Sequence, residues 1–265
     1  MISVEIERRI RSLSQYDLTL NNFSIGLAES LSEQPFIEFS RTSYPGVEAH
    51  LFTIADISLW RPELTETSEV VLQDVSEASD RVESWNRLFT STHIIMTALN
   101  TYREGLKQGI IPTTNWIHYE FQWYRQNWDT YIHESSPIHE FLSSVDKSIQ
   151  PHIKELNELG FPTTQSCSGL SIDHPDRDPY LPYVMFDERA YPKVSAHLFT
   201  LADMTGWIPS YGPHNFDVEL RLSTSEQAEN RWDMLIKGAR HLASLLTDYR
   251  LLSKTNSYRH EREKT

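Results

Sequence analysis

Hydrophobic residues recur at helical spacing in two separate stretches of this chain, residues 47–55 and residues 194–202. Each stretch therefore predicts a helix. Further along the chain, hydrophobic and polar residues alternate strictly over residues 216–222, with Phe216, Val218, Leu220 and Leu222 as the hydrophobic positions. That alternation predicts a half-buried strand. A polar segment and then a long helical pattern complete the second half.

The two helical stretches are copies of one sequence. Residues 44–56 recur almost unchanged as residues 191–203, and the matching extends at one constant offset from residues 35–103 to residues 182–250. Internal repeats have to be identified first, because they fix the architecture. Along this block the alignment needs no gap, and it pairs Val71 with Val218 and Trp85 with Trp232.

The coarse pattern is the same in both copies. We predict first helices over residues 4–15 and 148–159, first strands over 18–23 and 161–165, and second strands over 35–39 and 182–186. Residues 223–226 resemble a capping box, which would open the last helix at about Thr224 and carry it past Arg250. Each unit is α-β-β-α-β-α, and two tandem units make a pseudo-two-fold-symmetric α/β (α+β) protein.

Three segments follow from this repeat: a first unit over residues 1–110, a connecting segment over 111–144 and a second unit over 145–265. The connecting segment is rich in aromatic residues between Trp116 and Tyr131, which argues against a flexible linker. Two interpretations stay open. It is a helical strap over the core, or it is an aromatic wall for a planar ligand.

Composition narrows the class of protein. The chain has 265 residues, 39% of them hydrophobic, a formal net charge of −13 and one cysteine. This length and composition suit a globular protein, and the single cysteine excludes intrachain disulfides and multi-cysteine zinc sites. The absence of an apolar leader or membrane-length run predicts a cytoplasmic protein without membrane contact. The acidic charge disfavours extended contact with nucleic acid, tRNA included.

One loop distinguishes the copies, and we expect function there. Only the second copy has the hydroxyl-rich turn of residues 163–169, and its following loop, residues 171–181, carries an insertion relative to residues 28–34 of the first copy. Cys167, Asp173 and His174 are its candidate catalytic residues, as nucleophile and acid–base groups. The candidate substrate- and anion-binding residues are Thr164, Ser166, Ser168, Gly169 and His197.

Structural interpretations of the same residues stay open. The serine- and glycine-containing turn is also typical of an ordinary structural turn. An isolated cysteine is often a small buried apolar residue, and an Asp/Pro-rich insertion is typical of a solvated loop. A metal site using Cys167, His174, His197 or His214 is chemically sensible, but no spacing signature supports it, so no metal is predicted. His50 and His197 are duplicated and are therefore predicted to pack against neighbouring elements with a backbone or aspartate partner. The alternative for His197 is a position facing the loop of the second copy.

Around this turn the second copy resembles the family of the wybutosine-tRNA methyltransferase. The resemblance covers roughly residues 150–225 and follows the order of a turn at Ser166, Ser168 and Gly169, a strand at 182–186, a helix at 196–206 and a strand at 217–223. It implies an α/β fold, S-adenosylmethionine as methyl donor and tRNA as substrate, with this turn at the site. S-adenosylmethionine is implied by the resemblance alone.

Two functions from different classes follow. The first is a transferase acting on a nucleotide-like or other small anionic substrate, with its one ligand site at the turn of residues 166–169. The second is a noncatalytic binding or assembly protein that contacts a protein partner through the segment from Trp116 to Tyr131. An exposed aromatic face beside a shallow turn would favour the second.

Overall fold

The computed structural model describes residues 2–26, 34–65, 69–111, 142–176, 180–188, 190–191, 193–211 and 217–252. The chain divides into two compact units, Met1–Gln108 and Gly109–Thr265. The predicted aromatic segment from Trp116 to Tyr131 lies outside the described residues, so both interpretations of it stay predictions. None of the described helices combines the length and apolar character needed to cross a bilayer.

The first unit packs helices against a four-stranded antiparallel sheet with the strand order β1-β2-β4-β3. Its elements are α1 (Ile2–Arg11), a 3-10 helix (Ser12–Tyr16), β1 (Leu20–Ser24), β2 (Phe36–Ser40), α2 (Val47–Ser58), β3 (Arg61–Leu64), β4 (Glu69–Gln73), a 3-10 helix (Ala78–Asp80), α3 (Arg81–Ala98) and α4 (Asn100–Lys107).

The second unit repeats this arrangement with the strand order β5-β6-β8-β7, again antiparallel. Its elements are a 3-10 helix (Lys147–Ile149), α5 (Gln150–Glu158), β5 (Thr163–Cys167), β6 (Tyr183–Asp187), α6 (Val194–Thr205), β7 (Ile208–Tyr211), β8 (Asp217–Arg221) and α7 (Ala228–Leu245). Two similar sheets, each with its helices, confirm the predicted α+β class and fit a duplicated unit.

The predicted order of elements within each unit was incomplete. A further strand, β3 or β7, follows the central helix, so each unit is α-β-β-α-β-β-α. Both strands have proline at their second position, Pro62 and Pro209. Proline cannot donate a ladder hydrogen bond and is confined to edge strands, which is where β3 and β7 lie. The proline at the second position of each strand is therefore compatible with an edge strand.

The gap-free alignment was wrong across β4 and β8. Val218 pairs with Phe186, and the residue that pairs with the equivalent Phe39 is Val70, not Val71. The hydrogen bond from Asp74 N to the Pro35 carbonyl (2.9 Å) likewise recurs as Leu222 N to the Pro182 carbonyl (2.9 Å). Compared with the first unit, the second unit thus has one residue more between β7 and β8 and one residue fewer between β8 and α7. Burial decides the register, because it is Val70 and Val218 that are fully buried.

The predicted capping box was also wrong. The helix α7 begins at Ala228, and its N-cap residue Gln227 has the left-handed backbone angles φ 58° and ψ 27° without a side-chain cap. The Thr224 hydroxyl instead accepts a hydrogen bond from Glu226 N at 3.1 Å, within the preceding turn. This turn delays the start of the helix beyond the predicted Thr224.

The same aromatic arrangement holds each core together. Trp85 and Trp232 are 0% exposed, and each meets a second indole edge-on, Trp60 at 4.8 Å and Trp207 at 5.1 Å between ring centroids. The N–H of Trp85 donates to the Ile25 carbonyl (3.3 Å), and that of Trp232 donates to the Ser168 carbonyl (3.2 Å). Each tryptophan therefore ties its long helix to the turn after the first strand.

Paired histidines occupy equivalent positions on α2 and α6. The Nδ1 atom of His50 lies 3.0 Å from the Tyr44 hydroxyl, and that of His197 lies 3.4 Å from the Tyr191 hydroxyl. Both rings are fully buried and packed edge-on against a tyrosine of the last helical segment, Tyr102 or Tyr249. The predicted role in helix packing is confirmed, with tyrosine as the partner.

Burial of His50 makes the stability of the first unit depend on pH. Burial first, and then the charge of Arg103, lower the pKa of His50 from 6.5 to about 3. In the unfolded chain the imidazole titrates at about 6.5. Unfolding therefore takes up a proton between these two values, and the free energy of unfolding falls as pH is lowered through this window, by up to about 1.4 kcal/mol per pH unit.

His50→Gln is expected to flatten this dependence. Between about pH 6.5 and about pH 5 the wild type should lose about 1.6 kcal/mol more than the variant, measured by urea denaturation. His241→Gln, at an exposed position of α7, is the matched control and should keep the wild-type slope. Parallel curves for the wild type and His50→Gln would show that His50 does not titrate in this way.

Candidate functional site

The turn after β5 is fixed by glycine geometry. Gly169 has φ +68°, and a Cβ added there would overlap the ring of Pro182 and lie 2.8 Å from the Pro182 backbone nitrogen. No other residue type fits this backbone and this close approach. The turn therefore lies against the residue that precedes β6, and it holds Cys167 at the end of its strand.

Three ligand-type atoms of the second unit converge beside this turn. The Sγ atom of Cys167 lies 3.4 Å from Nε2 of His174, and the same Nε2 lies 3.2 Å from Oδ2 of Asp146. All three atoms lie within 4.8 Å of one another. Cys167 is 4% exposed, and the side chains of His174 and Asp146 are 9% and 19% exposed. The cluster is thus largely shielded from solvent.

Backbone groups fix two members of the cluster. The Ser168 N–H donates to Oδ2 of Asp146 at 2.8 Å, which binds this carboxylate to the turn. His174 is held by a tight turn in which Asp173 N donates to the Leu170 carbonyl and His174 N to the Ser171 carbonyl, both at 3.1 Å. The inserted loop is therefore folded back onto the cluster, at least through residue 174.

Asp173 supports this loop from the side. It accepts a short hydrogen bond from the Ser148 hydroxyl and a longer one, 3.4 Å, from Ser148 N at the start of the helical segment before α5. Burial alone would raise the pKa of Asp173, but hydrogen bonds from Ser148 and Ser168, with the charge of His174, bring it below its usual value. An ionised Asp173 links the loop, the turn and the helix that surround the cluster.

The other predicted site residues have different surroundings. Thr164 lies at a bulge of β5, and its hydroxyl donates to Asp217 at 3.3 Å. The Ser166 hydroxyl is buried and has no hydrogen-bond partner among the residues that the structure describes. Ser168 is buried and its side-chain oxygen accepts from Leu170 N at 3.1 Å. His197 contacts Tyr191 and Tyr249 within the helical layer.

Asp146 was missed by the sequence analysis. It lies outside the gap-free repeat and directly precedes the 3-10 helix that leads into α5. An aspartate just before a helix is usually only a capping residue, so its position carried no functional signal. Its role emerges only when α5 packs on the sheet and brings it to the turn of Cys167.

A row of polar side chains extends from Cys167 across the sheet. Cys167 pairs with Tyr183, and Tyr183 pairs with Arg221. Residues directly opposite in neighbouring strands point to the same face, so these three side chains share one face. Burial first, and then the nearby charge of Cys167, raise the pKa of Tyr183. The phenol thus stays protonated at neutral pH.

The geometry of His174 distinguishes two chemistries. In a nucleophilic Cys-His-Asp arrangement one ring nitrogen faces the thiol and the other faces the carboxylate. Here Nε2 alone faces both. One nitrogen cannot at once take a proton from the thiol and donate one to the carboxylate, whereas a cation between the three atoms would bind all of them. The convergence favours a metal centre over a catalytic triad.

Comparison with family models, with curated proteins and with solved structures finds no match to this chain. The resemblance to the wybutosine-tRNA methyltransferase family, the methyl donor that it implies and the tRNA substrate stay predictions.

Proposed function

We propose that the second unit is the functional half of this protein and that it binds one divalent metal ion of the zinc type through Asp146, Cys167 and His174. The observation that carries this is the pair of distances from Nε2 of His174, 3.4 Å to sulfur and 3.2 Å to oxygen. In a tetrahedral zinc site the corresponding edges are roughly 3.6 Å and roughly 3.4 Å, from the usual metal–ligand bond lengths. Both distances lie within about 0.2 Å of the corresponding tetrahedral edges, and the third edge, from sulfur to oxygen, is no longer than 4.8 Å.

The donor set fits a borderline-soft cation. Thiolate, imidazole and carboxylate together suit zinc, and their two negative charges balance a divalent ion. The shielding of the cluster supports the same identity, because a buried thiolate and carboxylate side by side repel each other unless a cation lies between them.

Three protein ligands leave a fourth position for water or a ligand. Zinc sites with three protein ligands are typically catalytic, since the metal lowers the pKa of its bound water to about 7 and polarises a bound oxygen. We therefore assign the second unit metal-assisted hydrolysis or group transfer on a small ligand. The transferase predicted from the sequence is one form of this chemistry.

Metal content tests the proposal directly. The purified protein should hold about one equivalent of zinc by mass spectrometry, and replacement by Co²⁺ should give a near-ultraviolet thiolate-to-metal absorption band that identifies Cys167 as a ligand. Cys167→Ala should abolish the band, and His174→Ala should lower the bound metal to a small fraction of one equivalent.

The first unit provides the matched control. Ser24 occupies the position of Cys167 in the equivalent strand pairing, opposite Phe36 as Cys167 is opposite Tyr183. Ser24→Ala should leave both the metal content and the Co²⁺ spectrum unchanged. A wild-type protein that binds no Zn²⁺ or Co²⁺, or a Cys167→Ala variant that binds either equally well, would overturn the proposal.

A further inference from the structure

We infer that the ligand received at this centre is a small oxyanion, a carboxylate or a phosphate, held beside the metal by Arg221 and Tyr183. This inference rests on the proposed metal site. It begins with the sheet row Cys167, Tyr183 and Arg221, in which each residue is the direct partner of the next. Neighbouring strands lie about 4.8 Å apart, so Arg221 stands about two strand spacings from the metal ligand Cys167.

The guanidinium group of Arg221 lies over the phenol ring. Its central carbon is 5.1 Å from the Tyr183 ring centroid, within the range of a cation–π contact. Its Nε donates a short hydrogen bond to Glu219. The ion pair with Glu219 and the contact with the Tyr183 ring together fix the position of the planar group on this face of the sheet.

The outer edge of Arg221 is free to bind. Within the described part of the chain its two terminal nitrogens have no hydrogen-bond partner, and the side chain is 41% exposed. Two parallel N–H groups match the oxygens of a carboxylate or phosphate, which is why arginine is common where these groups are recognised. Tyr183 adds a hydroxyl donor on the same face.

The first unit shows what this row looks like without a ligand site. At the equivalent positions it has Ser24, Phe36 and Gln73, paired in the same order. The thiol, the phenol hydroxyl and the cation are therefore all confined to the unit that has the metal ligands. The first unit forms the same sheet without these three polar side chains, so sheet formation alone does not explain their presence in the second unit.

The charges of the site decide what holds the anion. The thiolate and Asp146 balance a divalent ion, Glu219 balances Arg221, and the ionised Asp173 adds a negative charge, so the surroundings offer no excess positive charge. An oxyanion is then bound chiefly by ligation at the open metal position, with Arg221 and Tyr183 adding directed hydrogen bonds. Anion binding should consequently depend on the metal.

Titration of the Co²⁺-loaded protein with inorganic phosphate and, separately, with acetate tests the inference through the visible absorption bands of the metal. The residues of the first unit supply the variants, Arg221→Gln and Tyr183→Phe. Loss of a charge-assisted hydrogen bond should weaken binding of the preferred anion at least about tenfold in Arg221→Gln, with a smaller loss in Tyr183→Phe. The anion that binds more tightly, phosphate or acetate, identifies the chemical class of the ligand.

Arg240→Gln is the control, because it removes the same charge from an exposed arginine paired with Glu155 on the helix surface. It should bind the anion as the wild type does, and all variants should keep one equivalent of Co²⁺. Unchanged affinity in Arg221→Gln, or a loaded wild type that binds neither anion, would overturn this inference alone. A wild type without metal would overturn the proposed function as well.

Discussion

Trp232→Ala is expected to lower the free energy of unfolding of the second unit by about 3–5 kcal/mol, and Trp85→Ala to lower that of the first unit by a similar amount. Both side chains are 0% exposed and pack edge-on against a second indole, so truncation leaves a cavity that the surrounding rings cannot fill. Each change also leaves a backbone carbonyl, of Ser168 or Ile25, without its donor.

Urea denaturation followed by far-ultraviolet circular dichroism measures this loss. Met234→Ala, at a position of α7 that is 44% exposed, is the control and should cost no more than about 0.5 kcal/mol. The two tryptophan variants should differ in one respect. Trp232→Ala should also weaken metal binding, because its indole holds the Ser168 turn, while Trp85→Ala should not. Losses below about 1 kcal/mol in both would mean that these rings are not core residues.

Much of the fold could be predicted because the duplication tests each pattern twice. The apolar faces of α2 and α6, and the alternation along β8, led directly to observed elements. The edge strands β3 and β7 were not predicted. Their residues Pro62 and Pro209 cannot donate to a ladder, and only the position at the sheet edge makes a proline acceptable there. Sequence identity also misled, since it paired Val71 with Val218 where burial selects Val70.

The candidate site was predictable only where the copies differ. Ser24 takes the place of Cys167 in the first unit, His174 has no counterpart there, and the structure brings Cys167 and His174 to 3.4 Å. His197 was duplicated as His50, and its contacts with Tyr191 and Tyr249 match those of its counterpart. Asp146 had no such signal, because its place beside the turn comes from tertiary packing and not from any local pattern.

Gly169→Ala is expected to lower the free energy of unfolding by roughly 2–5 kcal/mol, the sum of a left-handed backbone cost and an overpacking cost. The backbone at this position has φ +68°, and the new methyl group would collide with the Pro182 ring and approach the Pro182 backbone nitrogen to 2.8 Å. Because backbone cannot give way as a flexible side chain does, the turn itself must move. Cys167 and the Ser168 N–H that binds Asp146 would move with it.

Gly109→Ala separates these two costs. Gly109 has a similar φ of +69°, but an added Cβ there meets no atom of the described residues within 4 Å, so we expect only the backbone cost of about 1–2 kcal/mol. The difference between the two variants in urea denaturation therefore measures the collision with Pro182. Gly169→Ala should in addition weaken Co²⁺ binding, which Gly109→Ala should leave unchanged. Equal costs in the two variants would show that the turn can relax, and that it does not hold the ligands of the proposed metal centre in place.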